Sequence, residues 1–594
     1  MIFGKHINKY YLKYGWALLL GLVTLVIVDY FQLEVPELYG MVINGINDGQ
    51  VLKDGVMYDF NIDFLLDHIC RTLLIVIAVM VVGRFAWRMF FFGSATRMEK
   101  NLRATMFAHA KTLSQSYYQV HKVGDLMSLF TNDIETIHEC FGWGVLMLSD
   151  ALFLGGLAIY KMADMNWLLL VLSLVPMAFM LAISLIVGKF MTKRWDERQA
   201  AFSSLSDFSQ ESFSGIAVIK AFVKEFKELW AFRKLNKHNE DANVAYTRAS
   251  MALHIFVTLF IESVICIILG YGGYLVYKGT FNAGQLVQFI GYFNSIVWPV
   301  MAVSQLIEQH SMGKASLKRI NKLLDAEPEV KDREDVEDIE VLKGDIEFKN
   351  LTFTYPDGDY AALTDVSFKI NAGESVGIIG KTGAGKTTLV DLILRVYNVP
   401  DGTLFIDGYD VNKIPIARVR QYCSYVPQDN FLFSDTIENN IAFSLDELDA
   451  EGVKQSAIYA GVDGDIVEFP LQYHTVLGER GVTVSGGQKQ RISIARALVK
   501  DAPILILDDS VSAVDTNTEK TILSNLETLR KGKTTILIAH RVSTIQNMDK
   551  IVFVDDGKVL DVGSHDELYD RCEEYRKAVE LQRLEDERKE ENYA

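Results

Sequence analysis

Cysteine is scarce in this chain, with five in 594 residues, at Cys70, Cys140, Cys266, Cys423 and Cys572. They are scattered and odd in number, so neither a disulfide framework nor a zinc-ligand spacing can be read from them. Positive charge is also short. The formal net charge is −17 and the pI about 5.2, which argues against nucleic acid as the main partner, because phosphate-backbone binders carry a basic face. The first residues, MIFGKHINKYYLKYGW, hold no short apolar core ending in a small-residue cleavage site. No removable signal peptide is therefore expected.

Long apolar runs are abundant in the first 310 residues. A helix crosses a bilayer with about 20 such residues. Candidate spans lie at about 15–36, 69–93, 138–160, 166–188, 250–277 and 283–307. The first, second and fourth are the cleanest. The third is interrupted by Asp150 and glycines, the fifth contains Glu262, and the sixth holds Pro299, which a membrane helix tolerates when neighbours satisfy the freed carbonyl. Six such segments in one region speak against the buried helices of a soluble protein.

Loop charge gives an orientation. Lys5, Lys9 and Lys13 precede the first span, whereas residues 37–68 hold Lys53 against Glu37, Asp48, Asp54, Asp59, Asp63 and Asp67. Residues 94–137 and 189–249 are again rich in Lys and Arg, from Arg97 and Lys100 to Lys189, Lys237 and Arg248. Lys/Arg excess marks the cytoplasmic side, so both termini and both long loops are expected there. The long loops mix apolar and charged residues at helical spacing. They are expected to carry the membrane helices onward to elbows near Tyr117–Leu126 and Ser214–Ile216.

Residues 311–342, including DAEPEVKDREDVEDIEV, read as a charged connector. Behind it, strand-like and helical patterns alternate as in an α/β domain, expected over 343–582, with a charged tail at 583–594. VGIIGKTGAGKTTLVDLIL runs from a strand into a helix. Between them lies G-x-x-x-x-G-K-T: Gly380, Lys381, Thr382, Gly383, Ala384, Gly385, Lys386 and Thr387, followed by Thr388. Glycines let the backbone N–H groups curl around a phosphate, and the helix N-terminus adds partial positive charge. Lys386 is placed for the β- and γ-phosphates of a nucleotide and Thr387 for Mg²⁺. In ILILDDSVSAVD, residues 504–515, an apolar strand ends in two acids. Asp508 is the expected magnesium acid, and Asp509 is its neighbour on the γ-phosphate side. A second Gly-rich turn, Ser485, Gly486, Gly487 and Gln488, precedes a helix and offers another phosphate cradle. One domain does not need two; a second chain does.

These motifs in this order closely resemble the ATP-binding cassette (ABC) family. Val484–Gln488 resembles its signature, with Val in place of the usual Leu. Tyr355 matches the aromatic that stacks on adenine, and Gln428 the glutamine that links Mg²⁺ to the membrane domain. Ser512–Asp515 matches the D-loop and His540 the switch histidine. The six spans and the cassette together look like a half-transporter of the exporter type, with ESFSGIAVIKAFVKE resembling its second coupling helix. The resemblance implies a six-helix membrane domain plus an α/β P-loop domain, ATP and Mg²⁺ as ligands, ATP hydrolysis coupled to efflux, and a dimer in the plasma membrane, bacterial in type. Each ATP would lie between one chain's P-loop and the other's signature.

The family usually carries Glu where this chain has Asp509. That departure resembles the impaired-site half of heterodimeric multidrug exporters, whose partner chain supplies the Glu. His540 is intact, which keeps a homodimer open, as is a membrane regulator that transports nothing. A soluble cassette of DNA repair or translation would lack the spans. The cargo is not legible: drug-like compounds, lipids and peptides all fit. Asp29, Asp150 and Glu262 fall within expected spans. They would suit lipophilic cations, or would pair with Arg84, Arg88 or backbone groups.

Overall fold

The computed structural model describes residues 3–593 except 54, 338, 482 and 513, without the side chains of 181, 184–186, 188, 189, 304, 480 and 585–593. Asp54, Ala513 of the Ser512–Asp515 segment, the Lys189 side chain and most of the expected tail's side chains thus lie outside the described residues. The chain divides into two compact units. One comprises residues 1–111 and 123–326, the other residues 112–122 and 327–594.

The first unit is helical. Its long helices are α1 (Asn8–Asp48), α2 (Ile62–Ala110), α3 (Val123–Met165), α4 (Trp167–Ser214), α5 (Glu225–Tyr277) and α6 (Ala283–Leu324). Among the described residues, five of them are long and apolar enough to cross a membrane, and α4 contributes the apolar stretch Trp167–Met180. The 53 residues of α5 extend about 80 Å at 1.5 Å per residue, well beyond the ~30 Å hydrocarbon layer. Exposed apolar side chains such as Leu19, Val82 and Leu259 are what a lipid-facing surface carries.

Local chemistry sets the helix ends. Asn166 caps α4 by accepting from the Leu169 N–H at 2.9 Å. Asn282 and Gln285 close a capping box on α6. Small residues let the helices approach: a Cβ on Gly284 would meet the Gly40 carbonyl oxygen at 2.1 Å, drawing α1 against α6. The α6 helix continues to Leu324, past position 311 where the charged connector was expected to begin. Leu317, Ile320, Leu323 and Leu324 are buried at helical spacing among charges. Asp133 accepts hydrogen bonds from Ser316 (2.7 Å) and from Arg319 Nε (2.9 Å). Apolar periodicity outweighed local charge density there.

Both elbows contain a short helix. Gly215 ends α4, Ile216–Ala221 forms one turn and more, and α5 starts at Glu225. Gln115–Val120 is the counterpart in the first loop and belongs to the second unit. There the Ser116 hydroxyl donates to Glu329 at 2.5 Å, and the Tyr397 hydroxyl donates to Gln119 at 2.9 Å.

The rest of the second unit is α/β. Strands β1 (Ile346–Thr354), β2 (Ala361–Ile370), β4 (Leu404–Ile406) and β5 (Tyr409–Asp410) make an antiparallel sheet in the order β2-β1-β4-β5. Strands β3 (Ser375–Gly380), β6 (Cys423–Val426), β7 (Ile504–Asp508), β8 (Thr534–Ala539), β9 (Lys550–Asp555) and β10 (Lys558–Gly563) make the larger sheet, in the order β10-β9-β3-β8-β7-β6. Its first five strands in chain order are mutually parallel, and β10 is antiparallel. Strand β7 is buried throughout and β8 likewise, as a parallel strand covered on both faces must be. Parallel strands deliver their C-terminal ends to one edge, where ligands of open α/β sheets bind.

Candidate nucleotide-binding site

Four strands end in residues singled out in the sequence. After β3 comes the P-loop, after β7 Asp508 and Asp509, after β8 His540, and after β6 Gln428. Because β3, β8, β7 and β6 are consecutive neighbours in the sheet, these groups share one edge.

The P-loop conformation depends on its glycines. Gly383 and Gly385 have φ of +82° and +94°, a region that costs an L side chain about 1–2 kcal/mol. Gly380 leaves no room: a Cβ there would lie 1.9 Å from the Val554 carbonyl oxygen. Helix α7 (Lys386–Ile393) begins immediately, and Gly385 occupies its N-cap without a side-chain partner, so its first N–H groups remain available to an anion. Lys386 Nζ donates to the Gly380 and Lys381 carbonyls, each at 2.8 Å. Burial pulls the Lys386 ammonium below the usual lysine range, opposed by the charges of Asp508 and Asp509. Lys381 is exposed and pairs with Asp555 at 3.0 Å; Thr382 is exposed and Ala384 buried. The Tyr355 hydroxyl and Thr388 Oγ1 share a hydrogen bond of 2.7 Å, and the Tyr355 ring meets Tyr397 edge-on. The expected adenine-side aromatic thus packs beside α7.

Asp508 is 1 % exposed, and its Oδ2 has no hydrogen-bond partner. Burial raises its pKa above the usual carboxylate range, while a hydrogen bond from Thr387 and the charge of Lys386 act the other way. A buried, unsatisfied carboxylate oxygen is costly. Beside a threonine hydroxyl it is the oxygen donor set that magnesium takes when it shares its shell with phosphate. The residues present therefore fit that ion.

Asp509 is held differently. It is a non-glycine residue at φ +46°. Its N–H donates to the Ile538 carbonyl at 3.1 Å, and its carbonyl accepts from Gln490 Nε2 and from Ser512 Oγ, both at 3.0 Å. Its Oδ2 lies 3.8 Å from His540 Nε2. The His540 carbonyl in turn accepts from Gln582 Nε2 at 2.8 Å. Gln428 is exposed just past β6, its carbonyl near Asn430 Nδ2 at 3.5 Å.

The signature turn is built as a helix start. Ser485 Oγ accepts from the Gln488 N–H (3.2 Å), and Gln488 Oε1 accepts from the Ser485 N–H (3.0 Å), closing a capping box on α8 (Gly486–Val499). Ser485 and Gly486 are exposed, Gly487 and Gln488 partly so. Asp515 caps the helix Thr516–Leu529 by accepting from the N–H groups of Asn517 and Thr518.

Sequence reasoning missed two residues here. Gln490 secures the Asp509 backbone, and nothing local signals a contact 19 residues away. Asp391 sits one turn beyond Thr387 on α7; burial and the negative charge of Asp508 push its pKa up to about 6. Its position four residues after Thr387 was the available clue.

Comparison with known proteins identifies the family. The family model of the ABC transporter transmembrane region matches residues 18–300, and that of the ABC transporter matches residues 363–512. The chain is 35% identical over 583 residues to a probable multidrug resistance ABC transporter ATP-binding/permease protein of Bacillus subtilis, covering 98% of this chain and 97% of that one. It is 34% identical to a multidrug resistance-like ATP-binding protein of Escherichia coli, over 97% and 96% of the two chains. The solved structure of a bacterial Atm1-family ABC exporter with ATP bound superposes with a TM-score of 0.76 at 25% identity, covering 97% of this chain and 98% of the other. The chain belongs to the ABC transporters, a multi-pass membrane protein with its transmembrane and ATP-binding regions fused in one polypeptide.

Proposed function

We propose that this chain is one half of a heterodimeric exporter that moves drug-like or other amphipathic compounds out of the cell, and that the ATP site at its own P-loop hydrolyses slowly. Both termini face the cytoplasm in this reading, following the Lys/Arg-rich loops. The names of the multidrug relatives support the cargo class.

Asp509 is the observation that carries the impaired site. Its side chain is one methylene, about 1.5 Å, shorter than the Glu usual at this position. Three backbone hydrogen bonds hold its peptide units, so the backbone cannot advance to restore the lost reach. A general base contributes about 10²–10⁴-fold and must come within hydrogen-bond distance of the attacking water. When bound, Mg²⁺ neutralises charge developing between the β- and γ-phosphates. Lys386 and the P-loop N–H groups bind and orient the phosphates, Asp508 and Thr387 present oxygens to the metal, and His540 faces the γ-phosphate side. All of these act before a water is activated, so nucleotide binding survives while turnover suffers. Ser485–Gln488 then complete the partner's ATP site.

One observation favours a homodimer as the second reading: His540 is retained, 3.8 Å from Asp509. Two measurements decide. A tagged chain purified from its native membrane should carry a second, different exporter chain in equal amount; a single species overturns the heterodimer. In that heterodimer, with the partner's catalytic Glu changed to Gln, Asp509→Glu should raise ATPase above the partner variant alone. No gain, even with a signature of Ser-Gly-Gly-Gln facing this site, would show that reach is not the defect.

A further inference from the structure

Where α1 enters the bilayer, it and the last turns of α2 enclose a groove of about 740 Å³, within the ~300–1,000 Å³ of small-molecule sites. Lys9, Tyr10 and Lys13 line it from α1, and Asn101, Ala104 and Ala108 from α2, with Thr105 and His109 beside them. Ala104 and Ala108 stand one helical turn apart, and their small side chains leave the groove its width. Its lining residues carry two ammonium groups and no carboxylate.

That charge is not neutralised by the protein. Lys9 and Lys13 are exposed, and among the described residues neither is paired with an acid. Each lies instead over a buried ring: Lys9 Nζ is 5.1 Å from the Tyr10 centroid, and Lys13 Nζ 5.6 Å from that of Tyr14. Acids on neighbouring segments are taken. Glu99 of α2 meets Arg103 (2.6 Å) and His138 (2.7 Å), and Asp325 meets Lys5 (2.7 Å) and His6 (3.0 Å). On the α2 side, Asn101 Nδ2 donates to the Tyr14 hydroxyl at 2.6 Å, and the Thr105 hydroxyl donates to the Asn101 carbonyl at 2.9 Å. What the groove offers a ligand is the pair of ammonium groups, each with three donors.

The position of the pair selects the ligand. Lys9, Lys13, Trp16 and Leu20 follow one another at spacings of four, three and four, along one face of α1. Trp16 is 60 % exposed and Leu20 43 %, and an exposed tryptophan at the start of a span marks the membrane–water boundary. Lys13 precedes Trp16 by about 4.5 Å of helix and Lys9 by about 10 Å, across a headgroup layer of about 5–8 Å. We propose that this groove binds an anionic glycerophospholipid of the leaflet in which α1 begins. Its phosphodiester lies between Lys9 and Lys13, in charge-assisted hydrogen bonds, and an acyl chain runs along Trp16 and Leu20. A zwitterionic headgroup would bring a further ammonium group to a groove with no acid to receive it. An amine-free headgroup such as that of phosphatidylglycerol is therefore preferred over phosphatidylethanolamine.

The test is native mass spectrometry of the full-length transporter, titrated in detergent with phosphatidylglycerol or phosphatidylethanolamine of matched chains. The first phosphatidylglycerol should bind about tenfold more tightly or better. Each basic residue near a membrane surface is worth roughly fivefold in affinity for anionic lipid. Lys9→Gln/Lys13→Gln should thus weaken phosphatidylglycerol roughly thirtyfold and leave phosphatidylethanolamine unchanged, whereas Lys9→Arg/Lys13→Arg should keep the preference. Ala104→Phe retains every charge but fills the groove, so it should weaken binding as well. Lys193→Gln/Lys314→Gln removes the same charge from exposed positions elsewhere in the first unit and should have no effect. Equal binding of the two lipids, an equal loss in the Lys193→Gln/Lys314→Gln variant, or undiminished binding in Ala104→Phe would reduce the groove to diffuse surface charge and overturn the proposal. Displacement of phosphatidylglycerol by millimolar glycerol 3-phosphate would overturn it too, because the groove would then serve a soluble phosphate ester.

Discussion

The nucleotide-binding unit contains two glycine-rich turns before helices, and they are finished to different degrees. The P-loop is supplied from within its own chain. Lys386 and Thr387 are on α7, Asp508 comes from β7, and Gly380 packs against β9 so tightly that no side chain fits. Ser485–Gln488, by contrast, close on one another through a capping box and on Arg491 of the same helix, whose Nε donates to the Gly487 carbonyl, with Ser485 and Gly486 open to solvent. A helix N-terminus with exposed N–H groups is half of an anion site. The difference teaches that the first turn is surrounded by groups from several strands of its own unit, whereas the second is finished by its own helix; under the proposed function, the second is completed by a ligand on another chain.

The most severe way to challenge that contrast is Ser485→Asp. Aspartate caps helices as well as serine does, so α8 should remain intact and thermal stability should change by less than about 1 kcal/mol. The added negative charge, set where a phosphate from the opposite chain arrives, should lower ATPase of the dimer about a hundredfold or more, the scale of losing several kcal/mol of charge stabilisation. Nucleotide affinity at this chain's own P-loop should stay the same. An equal fall in that affinity would mean that the two turns serve one site and that the contrast is wrong.

Next in size is Lys386→Ala. Hydrogen bonds from a charged donor are worth about 1.5–3 kcal/mol, so Mg-ATP binding at this P-loop should weaken roughly ten- to hundredfold, read by fluorescent-nucleotide titration. In a heterodimer the ATPase should fall only in part, because the partner's P-loop is untouched; in a homodimer it should be lost. The same variant therefore also sharpens the choice between the two assemblies.

The smallest effect concerns Asp391. Its folded pKa of about 6 stands above the ~3.9 of an unfolded aspartate. Between these values the folded chain binds the proton that the unfolded chain has released, so this residue makes stability fall as pH rises from about 4 to 6 and leaves it lowest above that window. Asp391→Asn should thus raise the unfolding free energy at pH 8 by an amount on the order of 1 kcal/mol, with the difference shrinking towards pH 4. A gain that did not change with pH would show that Asp391 is not protonated in this window.

Much of the candidate site was legible because the chemistry it suggests is local. Glycine spacing before Lys386, the acids ending ILIL, and Ser-Gly-Gly before an amphipathic helix each state their purpose within a few residues, since a phosphate cradle is made of consecutive N–H groups. The membrane spans were legible for a similar reason: about 20 apolar residues are a one-dimensional requirement. The connector was misjudged because Leu317, Ile320 and Leu323 are few among many charges, and only packing revealed that they form a helix face.

The sequence by itself determined the family, the order of the membrane region and the cassette, the candidate phosphate and metal ligands, and the presence of Asp509 where the family usually has Glu. Tertiary structure alone decided which strand ends adjoin, because β3 pairs with β8 and β9 across more than 150 positions of chain. It also decided that the Asp509 backbone is pinned by Gln490 and Ile538, and that Asp29 and Asp150 are buried while Glu262 stays exposed. Those outcomes rest on hydrogen bonds, burial and charge between residues far apart in the chain, and such pairings are set by how elements pack rather than by what stands next to them.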